Sequence, residues 1–378
     1  MRIGRYAAVL AESEKFHRMK HILTIVGARP QFVKAAVVSR AIQAKSGQLR
    51  ETIVHTGQHY DPNMSDIFFE ELKIPQPNIH LGIGGGTHGR NTGRMIEAIE
   101  SAILERAPDI VLVYGDTDST LAGAIAASKM NIVLAHVEAG LRSYNRRMPE
   151  ELNRILTDHA SDILFTPSAT ATTTLAKEGT DSRRVCQVGD VMYDAVLFYR
   201  KLARRPIGVD SGSDFVLATI HRAENTNEPH RLREIMGALS EVSRDVQVVL
   251  PLHPRTRKSM ERFGVQAERV KFLDPVSYLE MAWLLENCAM VVTDSGGLQK
   301  EAFFFGKRCV TARDETEWTE LISLGWNVLC GAQKDTILRA MRQALSTAGQ
   351  IPGGLPAAPS PFGAGDAGKR IVARLIEC

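Results

Sequence analysis

Cysteine is scarce in this chain, and long apolar runs are missing. Five cysteines stand among 378 residues (Cys186, Cys288, Cys309, Cys330 and Cys378), with no CxxC pair and no His-rich spacing. That pattern argues against a metal framework or disulfides. The apolar, strand-like runs around Cys288, Cys309 and Cys330 read instead as sites of buried free thiols in a reducing cytosol, so a cytoplasmic location is expected. No stretch reaches the roughly 18 apolar residues of a membrane span. The opening segment MRIGRYAAVLAESEKFHRMK has a basic start, but Glu12, Glu14 and Lys15 interrupt it before an apolar region forms, so it is not read as a secretory signal. Residues 1–18 are expected to be an extension, disordered or loosely helical, that adds little to the fold.

No charge of one sign dominates either. The 46 basic residues face 43 acidic ones for a net +3, and they are scattered rather than gathered in one block. A nucleic-acid surface is therefore not expected, while a local pocket for phosphates is compatible with this balance. With 44% hydrophobic and 24% charged residues the composition is that of a soluble globular protein, and the length suits two domains.

What is present is an alternation of short β-branched runs with helical patterns. HILTIV, ETIVHTG, DIVLVYGD, NIVLAHVE and DILFTPS occupy the first half; FVLATIH, VQVVLPLH, VKFLDP, MVVTDSG and RCVTARD occupy the second. Such alternation implies βαβ units and a mostly parallel sheet in each half. A Pro/Gly/Ser/Asp stretch places the hinge near 190–212. The expected organisation is an extension at 1–18, one Rossmann-like domain at 19–195, a second at 196–360 and a closing helix at 361–378. The fold class is α/β, with the two domains facing each other across a cleft that binds ligands at the C-terminal strand ends.

The stretch TDSGGLQKEAFFFG, residues 293–306, joins a short apolar strand to an apolar helical pattern through an acid, a hydroxyl and two glycines. A helix starting after such a turn presents unpaired N–H groups and the positive end of its dipole, which makes an anion site. Ser295 and the amides of Gly296 and Gly297 are expected to hold phosphate, and Glu301, further along the helix, to accept ribose hydroxyls. Other strand ends carry chemistry too. GARPQFVK puts Arg29 and Lys34 beside a helix start. YGDTDSTLAG presents Asp116 next to hydroxyls suited to capping. HVEAGLRS carries His136, Glu138 and Arg142 toward the same edge, and MPEELNR adds Glu150, Glu151 and Arg154. In the second half HRAEN delivers His221, Arg222 and Glu224, LHPRTRK adds His253 and Arg255, and ARDETEW completes a polar rim with Arg313, Asp314, Glu315 and Glu317. Any one of these is explained by a salt bridge or a helix cap; the convergence of several carboxylates and cations is less easily explained that way.

GARPQFVK, TGQHYD, GDTDSTLAG, HVEAGLRS, MPEELNR, HRAEN, TDSGGLQKEA and RDETEW occur together and in order. This ordered set resembles the non-hydrolysing UDP-N-acetylglucosamine 2-epimerases over about residues 20–345, with a further echo in the last helix. The resemblance implies a glycosyltransferase-B-like fold, a UDP-sugar substrate, a homodimer, and inversion at sugar carbon 2 without nicotinamide, metal or other cofactor. It implies removal of the C2 proton with loss of UDP from C1 to give 2-acetamidoglucal, then re-addition with a proton on the other face, which needs two acid/base groups. The positions matching the family's catalytic residues are Asp116, Glu138, Glu150 and His221. Arg29, Lys34, Arg154 and His221 would stabilise the departing diphosphate. Ser295, Gly296, Gly297, Glu301 and Arg313 complete the UDP-binding set.

The chain departs from the usual bacterial pattern at RDETEW, where Trp318 stands at an arginine position. With THGRNTG and KEAFFFG, this resembles the branch acting on UDP-2,3-diacetamido-2,3-dideoxyglucuronic acid and also some archaeal-type epimerases. Plain UDP-N-acetylglucosamine is ranked first, the diacetamido uronate is the near-equal alternative, and Trp318 with Arg90, Arg146, Arg147 and Arg222 is expected to bear on the choice. A regulatory second UDP-sugar site, for which Gln58 and His59 survive but the following YDPNMSD differs, is left open. A hydrolysing epimerase, a glycosyltransferase and a nucleotide-sugar sensor are the other readings of the same residues.

Overall fold

The protein was described from a computed structural model covering residues 19–58, 72–210, 214–346 and 360–378, without the side chain of Arg29. The expectations for residues 1–18 and for His59 and the segment after it fall outside these residues. Two compact units are present. One ends at Ala195 and takes in Phe362–Cys378; the other is Val196–Pro361.

The N-terminal unit alternates strand and helix: β1 (Lys20–Val26), α1 (Arg29–Gln43), β2 (Leu49–His55), β3 (Ile79–His80), α2 (His88–Arg106), β4 (Ile110–Tyr114), α3 (Asp118–Lys129), β5 (Val133–Val137), α4 (Pro149–Ala160), β6 (Ile163–Thr166), α5 (Ala169–Lys177), β7 (Val185–Gln187) and α6 (Val191–Tyr199). Its sheet is parallel in the order β3-β2-β1-β4-β5-β6-β7. The strand interiors are continuous apolar runs because both faces are covered; Leu23, Ile25, Val111 and Val113 are fully buried against Met95, Ile99 and the alanines of α3. Helix α3 packs unusually close to the sheet. A Cβ on Gly123 would lie 2.9 Å from Val113 and 3.3 Å from Ile25.

The C-terminal unit repeats the plan with β8 (Phe215–Thr219), α7 (Ala223–Thr226), α8 (Pro229–Val242), β9 (Gln247–Pro251), α9 (Pro254–Phe263), β10 (Lys271–Leu273), α10 (Tyr278–Asn287), β11 (Met290–Thr293), α11 (Gly296–Phe304), β12 (Cys309–Thr311), α12 (Thr319–Ser323), β13 (Asn327–Leu329) and α13 (Lys334–Ser346). Its sheet is parallel in the order β10-β9-β8-β11-β12-β13. All ten strands expected from sequence are present. The short β3, β7 and β13 were not expected, because two or three residues carry too little periodicity to read.

In both units the strand order reverses beside the first strand, between β1 and β4 and between β8 and β11. Ligands of open parallel sheets bind outside the C-terminal strand ends at such a reversal. Each unit therefore has one privileged edge.

The last helix, α14 (Ala367–Glu377), belongs to the N-terminal unit. Gly368 lies against α1, where a Cβ would come within 2.7 Å of Val37, and Lys20 Nζ donates to the Ile376 carbonyl at 2.6 Å. Asp194 in α6 caps it, accepting from the amides of Ala367 at 2.9 Å and Gly368 at 3.2 Å. Burial pushes the Asp194 carboxyl up to about 6, the two amides opposing the shift and Asp366 and Asp190 adding to it. A folded pKa above the unfolded one means that the folded state holds the proton more tightly. That stability is fully present below the unfolded pKa and is lost as pH rises through about 6. Hydrogen exchange of the α14 amides, compared between wild type and Asp194→Asn, should show wild-type protection declining relative to the variant by about 1–2 kcal/mol across this window. A parallel pH dependence in both proteins would show that Asp194 is not the titrating group.

Candidate active site

In the N-terminal unit the chemistry-bearing residues stand at the ends of β1, β4 and β5. Gln31, buried in the first turn of α1, ties two of these ends together. Its Oε1 accepts the amides of Gly27 (2.8 Å) and Ala28 (3.0 Å), and its Nε2 donates to the Tyr114 carbonyl (2.8 Å) and the Thr120 hydroxyl (3.0 Å). Every hydrogen-bonding position of that amide is used. The turn needs glycine at 27, where a Cβ would overlap the hydroxyls of Thr56 and Ser119.

Lys34 is paired with Glu138, and both are largely buried. Glu138 follows β5 with φ +75°, a left-handed conformation that a residue with a Cβ adopts only when its surroundings enforce it. Gly115 lies beside the pair: a Cβ there would sit 3.3 Å from Lys34 Nζ and 3.6 Å from Glu138 Oε2. Asp116, the next residue, accepts from Arg154 Nη2 at 2.5 Å, while Arg154 Nη1 donates to Glu151 at 2.9 Å. Asn153 steadies the same turn through the Asp116 carbonyl (2.9 Å) and Asp118 (3.3 Å). Burial alone would raise the pKa of Glu151, but the amides of Ser143 and Tyr144 and the Arg154 guanidinium outweigh it and hold the carboxyl below its ordinary range. The structure thus joins Lys34 to Glu138 and Arg154 to Asp116. Glu150 stands exposed in the first turn of α4. His136 and Arg142, expected at the same edge, are instead buried on Asp158.

In the C-terminal unit the site is built on a buried carboxylate. Asp294, fully buried after β11, accepts from the amides of His221 (3.0 Å) and Arg222 (2.9 Å) and from Asn225 Nδ2 (3.1 Å). It therefore fixes the turn after β8 against the turn after β11. Burial lowers the pKa of His221, opposed by the Asp294 charge and reinforced by Arg222 and Arg255, so the ring is neutral near pH 7. Ser295 caps α11, its side chain accepting from Leu298 N at 3.5 Å. Gly296 is closely confined: a Cβ would overlap Glu317, whose carboxylate is held by the buried Arg313 at 2.9 Å. Gly297 faces open space. Glu301 is buried in α11 beside the Tyr278 hydroxyl.

Trp318, expected to bear on the choice of sugar, lies behind this site. It is buried beneath this turn, its Nε1 donating to the Gly296 carbonyl at 2.8 Å and its ring covered by the Lys300 ammonium 4.1 Å away. It supports the turn from inside. Gln31, Asp294 and Lys300 were given no role from sequence, since nothing local marks a buried polar residue as the tie between distant turns.

Both privileged edges thus carry acids and cations on a GT-B-like pair of Rossmann units. A family model for UDP-N-acetylglucosamine 2-epimerase matches residues 40–376. The chain belongs to this family. Among its epimerase relatives, the UDP-2,3-diacetamido-2,3-dideoxy-D-glucuronate 2-epimerase of Pseudomonas aeruginosa is 56% identical over 94% of this chain and 99% of its own length. The crystal structure of Methanocaldococcus jannaschii UDP-GlcNAc 2-epimerase in complex with UDP-GlcNAc and UDP superposes with a TM-score of 0.83 at 39% identity, covering 95% of this chain and 99% of that one. That of Neisseria meningitidis UDP-GlcNAc 2-epimerase bound to UDP-GlcNAc gives 0.85 at 28% identity, covering 95% and 100%. Among the described residues, no helix is long and apolar enough to cross a membrane.

The two glycines of α11 give a contrast that can be measured. Gly296→Ala must displace Glu317 and should lower stability by about 1–3 kcal/mol, the range for overpacking, with weaker UDP binding. Gly297→Ala meets nothing and should leave stability within about 0.5 kcal/mol. Thermal melts and UDP titration of both variants check this; equal effects would mean that Glu317 does not confine the turn.

Proposed function

We propose that this epimerase inverts C2 of UDP-2,3-diacetamido-2,3-dideoxyglucuronic acid by elimination and re-addition of UDP. The observation that carries the choice of sugar is the 56% identity to the Pseudomonas enzyme over almost the whole of both chains, against 40% to the Methanocaldococcus enzyme named for UDP-N-acetylglucosamine. UDP-N-acetylglucosamine is the second reading, favoured by the ligands of the two crystal structures.

The C-terminal unit holds the nucleotide: Ser295 and the Gly296 and Gly297 amides take the diphosphate, Glu301 the ribose, and Arg313 completes the set. Arg313 is buried, its Nη1 donating to Glu317 at 2.9 Å and its Nε lying 3.7 Å from Glu224, so it acts by holding the carboxylate behind the turn. The N-terminal unit supplies Asp116, Glu138 and Glu150 for proton removal, proton return and support of positive charge at C1. Arg29, Lys34 and Arg154 meet the negative charge that develops on departing UDP, and so does His221 once protonated. Lys34 and Arg154 are already paired with Glu138 and Asp116, so each cation also orients an acid it touches. The enzyme acts as a homodimer in the cytoplasm.

Turnover of both UDP-sugars in heavy water tests the reading. Deuterium should appear at C2 of both epimers, and kcat/KM for the uronate should exceed that for UDP-N-acetylglucosamine by about a hundredfold, or about 2.7 kcal/mol of transition-state discrimination. Epimers with C2 fully protonated would eliminate the mechanism, and the opposite preference would restore the second reading.

His221 supplies a pH signature. Its pKa is low in the free protein, so a diphosphate that binds beside it should draw a proton onto the ring. UDP affinity should therefore rise as pH falls toward 6, with proton uptake seen by calorimetry in buffers of different ionisation enthalpy. The uptake attributable to the ring is the difference between wild type and His221→Asn; no difference would place the diphosphate elsewhere.

A further inference from the structure

The N-terminal unit buries two titratable groups that the proposed chemistry does not touch. His136, near the end of β5, is fully buried, and Asp158, in the third turn of α4, is 2% exposed. His136 Nδ1 lies 2.7 Å from Asp158 Oδ1, and its Nε2 lies 2.8 Å from the Gly115 carbonyl. A carbonyl oxygen only accepts, so Nε2 carries a proton. Asp158 is an acceptor as well: burial alone would raise its pKa, but His136 and Arg142 outweigh that and keep it ionised. The ring thus bridges the Asp158 carboxylate and the Gly115 carbonyl, one nitrogen to each. The other oxygen of Asp158 accepts from the Gly140 amide at 3.0 Å and from Arg142 Nη1 at 2.7 Å.

A buried polar pair contributes little net stability compared with well-packed apolar residues, so its bonding pattern is the better guide to its use. The bonds of this pair end at two places. Gly115 immediately precedes Asp116, and Gly140 stands two residues after Glu138. Both glycines have φ in the left-handed region, at +66° and +82°; the Gly115 amide still donates to the Val137 carbonyl at 3.0 Å, and beyond that last backbone bond the side-chain pair carries the link between the two turns. We propose that His136 and Asp158 form a positioning pair that fixes the Asp116 and Glu138 turns relative to each other, so that the two carboxylates keep the separation their chemistry needs. The proposal rests on the assignment of those carboxylates to the reaction.

Two substitutions separate position from charge. In Asp158→Asn the new amide donates to Nδ1 of a neutral imidazole while its oxygen still accepts from Gly140 and Arg142; the geometry survives and the charge does not. His136→Phe keeps the ring volume and loses both hydrogen bonds. With folding checked by circular dichroism, His136→Phe should lower kcat by about a hundredfold, the penalty of a roughly 1 Å misplacement, with the Kd for UDP unchanged. Asp158→Asn should keep kcat within about fivefold of wild type. Should His136→Phe not fold, His136→Asn, which retains the bond to Asp158 and drops the one to Gly115, should show the same loss of kcat at constant UDP affinity. A folded His136 variant with undiminished kcat, a parallel loss of UDP binding, or an Asp158→Asn as damaged as His136→Phe overturns the proposal. A wild-type protein that epimerises neither UDP-sugar removes the functional reading and this inference with it, whereas normal wild-type turnover left intact in the variants removes the inference alone.

Discussion

Every strand of a parallel sheet ends at the same edge, and each end must turn at once into a helix whose first N–H groups have no partner inside the helix. The rest of this molecule depends on how those turns are satisfied. Gln31 spends its whole amide on the β1 and β4 ends. Thr117 caps α3 through Thr120, and Asp294 gathers two amides and an asparagine from the β8 side. Polar residues that would be costly to bury alone become the ties that fix one turn against the next. Functional groups placed on such turns inherit their rigidity.

The two units use the same frame for different electrostatics. In the N-terminal unit carboxylates and cations are interleaved: Lys34 with Glu138, Arg154 between Asp116 and Glu151. A paired acid is held in one orientation, which suits groups that must meet a substrate in a fixed geometry. In the C-terminal unit the carboxylates of Asp294 and Glu317 lie inward, where they organise backbone and arginine, and the first turn of α11 is left outward at Gly297. That arrangement suits an anion. The glycines show the same division: at 115 the missing side chain leaves room for an ion pair, and at 296 for the carboxylate behind the turn.

Trp318 shows at what level a change in sequence can act. Its departure from the arginine of the usual pattern was expected to bear on the choice of sugar. The indole instead lies under α11, bonded to the Gly296 carbonyl and stacked on Lys300. A substitution near a site in sequence acts here on the support of the turn.

Sequence by itself determined ten of the strands, the doubled βαβ plan and the residue types at each strand end. These depend on local periodicity, on glycine and on capping chemistry, which a few neighbouring residues express. It also determined the family, through eight motifs in fixed order. Only the tertiary structure decided which charges meet. Lys34 and Glu138 are 104 residues apart and Asp116 and Arg154 are 38 apart. His136 and Arg142, placed by sequence beside Glu138 at the same sheet edge, turn inward to Asp158, and Gln31 and Asp294 give no local sign of the turns they join. A strand fixes which face a residue occupies only in alternation; what lies opposite that face is set by strand order, and strand order is a property of the folded chain.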